Sequence, residues 1–320
     1  MVCNQILIED VIMKLSTAEK PVIAGIDIGT NTILLTIGYI VDNNTVHILH
    51  DEVQFARLGK NVDCTGYIEE ERIMAAENIL KKYAEICINF DTDVICAVAT
   101  SAMRDALNGK EVQSRLEHAL GAAVTIIEGE EEARLCFLGT VPHKEKAMVI
   151  DIGGGSTEII IGTHEKIEAM YSINIGAVRL TERFFLQLPP TQENISCAIE
   201  CIHNELSHIS IENDYPVYCV AGTPVTLASI ALGLESYDST VLNGYELSAL
   251  VITIILQQLL HSTRDEILQN QGVVENRADI LPAGTLILET LLRKYEKSSC
   301  FVSTGGVRVG LIKNYYIHQY

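Results

Sequence analysis

One short motif occurs twice in the chain. Residues 27–38 read DIGTNTILLTIG and residues 151–162 read DIGGGSTEIIIG, so Asp-Ile-Gly returns in the second half and a glycine closes each copy. Such self-similarity predicts a duplicated unit, which constrains the architecture before any single residue is interpreted. In each copy an apolar run enters a tight polar turn and another leaves it. Val22 to Ile26 and Ile33 to Ile40 flank the first turn, Ala147 to Ile150 and Ile159 to Ile161 the second. Both copies read as β-hairpins whose turns offer backbone N–H groups.

The chain changes character after each hairpin. In the first half, Ile68 to Ile88 has helical periodicity, Val94 to Ala99 is a short apolar strand, Asp105 to Leu120 is helical and Ala123 to Ile127 is a strand. In the second, helices are expected at Thr191 to Ser210, Gly244 to Leu260, Arg264 to Gln271 and Ala283 to Tyr295, with strands at Val217 to Ala221 and Cys300 to Ser303. Both halves are therefore α/β. The junction is placed at Thr140 to Lys146, where Pro, His and charges interrupt the apolar pattern. This divides the 320 residues into an N-terminal domain, 1–140, and a C-terminal domain, 141–320, packed around a cleft, with the last helix expected to pack back on the first domain.

Composition removes several function classes. With 48% hydrophobic and 20% charged residues the chain can bury a core. Its 23 Lys and Arg against 42 Asp and Glu give a net charge of −19, which argues against nucleic acid as a partner. A polyphosphorylated substrate would be repelled at long range, so its site needs a metal ion, backbone N–H groups and a few placed arginines. The first twenty residues carry Glu9 and Asp10 inside the apolar stretch and do not read as a signal peptide. The longest apolar run, Leu247 to Leu260, is too short and too interrupted for a membrane span and reads as a buried helix. Nine scattered cysteines without a C-x-x-C suggest no disulfide framework and fit a reducing cytoplasm. Cys197 and Cys201, one helical turn apart, read as small core hydrophobes rather than ligands.

The strongest chemical signal is Asp151-Ile-Gly-Gly-Gly-Ser-Thr-Glu158. Gly153, Gly154 and Gly155 let the backbone approach a charged ligand, and Ser156 and Thr157 add hydroxyl donors. Asp151 and Glu158 bracket the turn with carboxylates suited to a hard cation such as Mg²⁺. The bland alternative is a glycine turn with exposed acids. The second copy, from Asp27 through Gly29, Thr30, Asn31 and Thr32, favours phosphate and metal binding. Gly222 and Thr223, directly after a strand, and the Ser303-Thr-Gly-Gly306 stretch add two weaker glycine turns at the entries of helices, where anions bind.

With these motifs in order, the chain resembles the Ppx/GppA family of exopolyphosphatases and guanosine pentaphosphate phosphohydrolases. The resemblance also rests on Arg57-Leu-Gly-Lys-Asn-Val62, Ala99-Thr-Ser-Ala-Met-Arg-Asp-Ala106, Ile127-Glu-Gly-Glu-Glu-Glu-Ala-Arg-Leu135, Asn174-Ile-Gly-Ala-Val178 and Arg277-Ala-Asp-Ile-Leu-Pro-Ala-Gly284. Thr30 and Thr32 stand where the family usually has serines, which preserves the hydroxyls. The resemblance implies two duplicated actin-like, ribonuclease H-like α/β domains flanking a central cleft. It also implies that Glu132 is the catalytic glutamate, that Arg104 donates to the terminal phosphate, and that Asp27, Asp151 and Glu158 hold Mg²⁺, with Glu158 also counted among the catalytic groups. From the residues alone, Glu132 reads equally well as an acid placed at a helix start. Longer members pair into dimers, and the resemblance extends the expectation of a homodimer to this chain.

Other cations are weaker candidates. Arg57, Lys60, Arg134 and Arg308 can merely pair with acids, and Arg134 stands four residues after Glu130, a helix salt-bridge spacing. His50-Asp51 superficially matches a metal-binding dipeptide of the extra domain of longer members, but lies in a strand-like region, and the chain leaves no room for that domain. The reading is a Mg²⁺-dependent hydrolase that removes a terminal phosphate from inorganic polyphosphate, guanosine pentaphosphate or both, with no nucleic acid or membrane partner. Its rivals are a small-molecule kinase of the same superfamily and a non-catalytic nucleotide or polyphosphate sensor. The charge balance tilts the substrate toward short chains or a nucleotide.

Overall fold

The computed structural model describes residues 20–41, 45–142, 146–211 and 215–319. All but the last of the first twenty residues, Cys3 among them, and the centre of the Thr140 to Lys146 junction thus lie outside the described residues. The first half runs β1 (Ile23–Ile28), β2 (Thr32–Ile40), β3 (Val46–Phe55), α1 (Val62–Thr65), α2 (Glu70–Asn89), β4 (Val94–Ala99), α3 (Ser101–Asp105), α4 (Gly109–Leu120), β5 (Val124–Ile126) and α5 (Gly129–Thr140). The second begins with β6 (Ala147–Ile152), β7 (Thr157–Gly162), β8 (Ile167–Ile173), α6 (Ala177–Phe184), α7 (Gln192–Leu206), β9 (Val217–Val220), α8 (Gly222–Leu232) and α9 (Ser239–Leu242). It continues with β10 (Glu246–Ser248), α10 (Ala249–His261), α11 (Arg264–Leu268), α12 (Leu281–Lys294), β11 (Ser299–Val302) and α13 (Val307–Gln319).

The two sheets repeat one plan. Their orders are β3-β2-β1-β4-β5 and β10-β11-β9-β6-β7-β8. In each, an antiparallel three-strand meander is followed by parallel strands on the other side of the first strand, and β10 adds an antiparallel edge to the second sheet. The hairpins register Asp27 opposite Leu34 and Asp151 opposite Glu158. The mostly apolar β1 (IAGIDI), β6 (AMVIDI) and β7 (TEIIIG) are buried on both faces, where branched side chains such as Ile pack well.

Each half has its own apolar core, and a third cluster lies between them. That third cluster joins Val98 and Ile127, the α5 residues Leu135 and Phe137, Val149 and Ile160 of the second sheet, and Val307 and Leu311 of α13. Helix α13 crosses back to pack on α5, β1 and β2. The approach is close enough to exclude side chains at glycines: a Cβ on Gly310 would lie 1.9 Å from the Leu135 carbonyl oxygen, and one on Gly25 2.1 Å from that of Arg308.

Several expected boundaries shift for local reasons. The helix expected over Asp105 to Leu120 begins only at Gly109, after a turn over residues 106–108 that follows the short α3, and Gly109 packs so closely that a Cβ there would meet the Met103 carbonyl oxygen at 2.1 Å. The helix expected from Gly244 begins only at Ala249, after β10, and Ser248 caps it by accepting from the Val251 amide at 3.2 Å. That helix buries Ile252, Ile255, Leu256, Leu259 and Leu260 but leaves Leu250 69% and Ile254 50% exposed, so it is not buried all round. Cys197 is exposed, against its reading as a core hydrophobe. No helix among the described residues is long and apolar enough to cross a membrane.

Candidate active site

Both turns are built the same way. In the first, the Gly29 amide donates to Thr32 O at 2.9 Å, and in the second the Gly153 amide donates to Ser156 O at 3.0 Å. Their carbonyls are engaged from neighbouring segments. Arg57 N–H donates to Asn31 O and Gly59 N–H to Thr30 O, while Ala177 and Val178 N–H donate to Gly153 O and Gly154 O. The amides of Thr30, Asn31, Gly154 and Gly155 have no such partner among the described residues, which leaves them available to an anion.

The turns face a cleft of about 490 Å³ between the halves. Of the residues singled out in the sequence, Asp27, Gly29, Thr30, Asn31, Thr32, Glu132, Asp151, Gly153, Gly154, Ser156, Gly222 and Thr223 line it, as do the Ser303 to Gly306 turn and Arg308. Four others stand outside the lining. A Cβ on Gly155 would point at Ser101 Oγ of the other half, 2.7 Å away, so its glycine serves close packing. Thr157 spends its hydroxyl on Ile175 O at 2.6 Å. Glu158 is buried and accepts from Ser172 Oγ at 2.7 Å. Arg104 donates from Nη1 to Glu132 Oε2 at 3.1 Å and to Ile127 O at 2.8 Å.

Four carboxyl groups crowd this region. Glu132 sits in the first turn of α5, only 8% exposed, and burial pushes it up to about 7, with the Arg104 cation opposing and the Asp151 charge adding to the rise. Asp27 is pushed up to about 8 by burial and by the charges of Glu132 and Asp151, against Arg308. Asp151 is raised by burial, offset by the Cys136 thiol that donates to its Oδ2 at 3.1 Å. Glu158 is raised well above the ordinary range by burial and by Glu132 and Asp151. Cys136 lies one helical turn after Glu132, so one face of α5 serves the whole cluster.

Mutual repulsion of buried carboxylates marks a place where a cation would be welcome, and Asp27 Oδ1 is buried without a hydrogen-bond partner. Among the described residues no three His, Cys, Asp or Glu side chains form a ready-made cage for a metal. The donor set instead fits an ion held by one or two carboxylates and completed by substrate phosphate oxygens and water, the habit of Mg²⁺. Asp27 and Asp151 are the cleft-lining candidates for that role.

The most informative cation is one that the sequence offered only inside a longer motif. Arg277 lines the cleft, its guanidinium 5.5 Å from the Phe55 ring centroid, and its side chain has no hydrogen bond or ion pair among the described residues. Burial lowers its pKa to about 10. It lies directly over Gly222, the first residue of α8, where a Cβ would fall 1.3 Å from Nη1. A guanidinium over a helix N-terminus, with no carboxylate to offset it, favours an anion. Every other candidate arginine has a partner: Arg57 forks onto Asp279 at 3.0 and 3.1 Å, Arg308 meets Asp51 at 2.7 Å, and Arg134 pairs with Glu131 rather than Glu130. His50 packs on Phe90 and contacts Glu52, and Lys60 is exposed.

Comparison with known proteins now bears on this geometry. The Ppx/GppA phosphatase family matches residues 37–316. The chain belongs to that family. It is 33% identical over 288 residues to exopolyphosphatase 2 of Mycobacterium tuberculosis, covering 85% of this chain and 90% of that protein. It is 29% identical over 300 residues to the guanosine-5'-triphosphate,3'-diphosphate pyrophosphatase of Photobacterium profundum, covering 92% of this chain and 59% of the other. Among solved structures, the Ppx/GppA family member of Aquifex aeolicus superposes with a TM-score of 0.79 at 31% identity, over 94% of this chain and 99% of that one. An exopolyphosphatase from Cytophaga hutchinsonii does so with a TM-score of 0.84 at 29% identity, over 93% and 98%. The fold is thus the duplicated actin-like one of Ppx/GppA proteins, and the chain is an enzyme, a phosphoanhydride hydrolase.

Proposed function

We propose that the cleft removes the terminal phosphate from inorganic polyphosphate, guanosine pentaphosphate or both, with Glu132 activating the attacking water. The observation that carries this reading is the placement of a buried glutamate, poised near neutrality, in the same cleft as two anion-ready turns. The amides of Thr30, Asn31 and Gly154 and the hydroxyl of Thr32 hold the terminal phosphate, while the Ser156 hydroxyl bonds to Glu158. Glu132 takes the proton of a water in line with the scissile bond. Arg104 orients Glu132 and supplies positive charge beside the negative charge that develops as the bond breaks. Asp27 and Asp151 would hold a Mg²⁺ ion, which would neutralise phosphate charge, and buried Glu158 lies opposite Asp151 in the hairpin as a further carboxylate. Catalysis of this kind is mostly positioning and electrostatics.

The rest of the cleft lining bears on substrate choice. It includes the apolar Leu34, Val53, Phe55 and Val273 together with Asp51, Glu52 and Glu235. Asp51 is paired with Arg308 and Glu52 with Lys82, so of these acids Glu235 is the one placed to repel a continuing phosphate chain, which supports short chains or a nucleotide over long polymers. Arg277 over Gly222 then meets a phosphate behind the terminal one.

The test is phosphate release from polyphosphate of graded lengths and from guanosine pentaphosphate, with no acceptor other than water, for wild type and Glu132→Gln. Release that falls ~10²- to 10⁴-fold in the variant, the usual worth of a positioned general base, supports the reading. Wild-type turnover in a folded Glu132→Gln sinks the assignment, and phosphate transfer that requires an added acceptor favours the kinase instead.

A further inference from the structure

A second seam joins the two halves outside the cleft. Helix α6 is bonded to the second glycine turn through its first amides: Ala177 N–H donates to Gly153 O at 2.9 Å, and Val178 and Arg179 N–H donate to Gly154 O at 2.9 and 3.0 Å. Gly176 permits this approach, since a Cβ there would lie 2.3 Å from the Gly154 carbonyl oxygen. Turn and helix therefore form one mechanical unit. From that unit Arg179 reaches into the first half, donating from Nη2 to the Asp105 carboxylate and placing Nε 3.3 Å from Asp63. Asp63 is braced in turn by Arg183 through bonds of 2.7 and 2.8 Å.

Asp105 ends α3 and directly follows Arg104, the residue that holds Glu132. The path from the second turn to the candidate base thus runs Gly154, Arg179, Asp105, Arg104, Glu132, each step a hydrogen bond, ion pair or peptide link. The Arg179 side chain is only 11% exposed, so salt screens its pairs weakly. It is absent from the cleft lining.

We propose that Arg179 is a positioning residue for hydrolysis: by tying α6 to α3 it sets the spacing between the second glycine turn and the Arg104–Glu132 pair, so that both sides of the cradle close on one phosphate. This rests on the roles given above to Glu132 and Arg104. Other contacts keep the seam together when Arg179 is lost, among them the Asn61 N–H bond to Glu182 at 2.8 Å and the Thr30–Ser101 bond beside the turn. The expected result is a displaced geometry in an assembled protein. A misplacement of about 1 Å costs on the order of 10²-fold in rate, while the amides that bind phosphate remain.

The experiment measures kcat and KM for phosphate release from polyphosphate and guanosine pentaphosphate in wild type, Arg179→Gln, Asp105→Asn and the double variant, each checked for folding by thermal melting. Arg179→Gln is expected to lower kcat about 10- to 100-fold with KM little changed. Asp105→Asn should do the same, and the double variant should be no worse than the more damaged single, because both changes break one link. A folded Arg179→Gln with wild-type kcat overturns the proposal, as do single losses that multiply in the double variant. Should Arg179→Gln fail to fold, Arg179→Lys is judged by the same kcat criterion, since lysine keeps the charge but lacks the planar fork that holds α6 to Asp63 and Asp105 in one fixed geometry. A wild type that releases no phosphate from either substrate refutes the proposed function and this inference with it, whereas an active wild type beside an unaffected variant refutes the inference alone.

Discussion

At Glu132 two opposing influences meet, burial that raises the carboxyl and the Arg104 guanidinium that lowers it. A general base must be ionised, so kcat/KM should fall as pH drops through about 7, the value to which Glu132 is pushed. Removing the cation removes the lowering influence. In Arg104→Gln the acid limb of the profile should move to higher pH, by about one unit or more, and turnover at neutral pH should drop accordingly. An acid limb unmoved by that substitution would show that another group sets it. Residue roles were the least legible part of the sequence. Glu132 stood out only through the family motif, because three successive glutamates at a helix start are ordinary. Arg277 could not be distinguished from any other arginine, since its lack of a carboxylate partner depends on what folds around it.

Strands and helices were legible wherever burial is simple. The two hairpins follow from apolar runs around polar turns, and both appear in the register those runs imply. Strand β3 was read only as a strand-like region around His50 without bounds, and β8 was not placed, because each lies along only partly buried sheet and its sequence, VHILHDEVQF or IEAMYSI, keeps no clean alternation. Glycines were over-read in one direction. Gly155 was read only as a phosphate ligand, and its missing side chain also makes room for Ser101. The same logic of contact applies to α13, whose Gly310 rests on the Leu135 carbonyl of α5. Gly310→Ala should push those helices apart and destabilise the fold by about 1–3 kcal/mol, seen as a lower urea midpoint. An unchanged midpoint would mean that the two helices separate freely.

For the molecule as a whole, duplication was readable because the motif itself is duplicated, but the chain's return to its first half was only an expectation with no residue pattern behind it. Charge is a second property of the whole. A net charge of −19 together with buried carboxylates at the cleft means that a divalent cation should bind the folded state in preference to the unfolded one. Millimolar Mg²⁺ should raise the melting temperature of wild type, by an increment equivalent to about 2.7 kcal/mol when the ion is at a hundredfold its Kd. Asp27→Asn combined with Asp151→Asn should abolish most of that rise, and a rise that survives both changes would place the ion elsewhere.

Helix α13 supplies a surface to β1 and α5 from the far end of the sequence. On a ribosome adding about 5–20 residues each second, β1 emerges roughly 15–60 s before its covering helix exists. For that interval the opening sheet must persist with one face bare, vulnerable to chance partners, and that face is covered only once residues 307–319 have arrived.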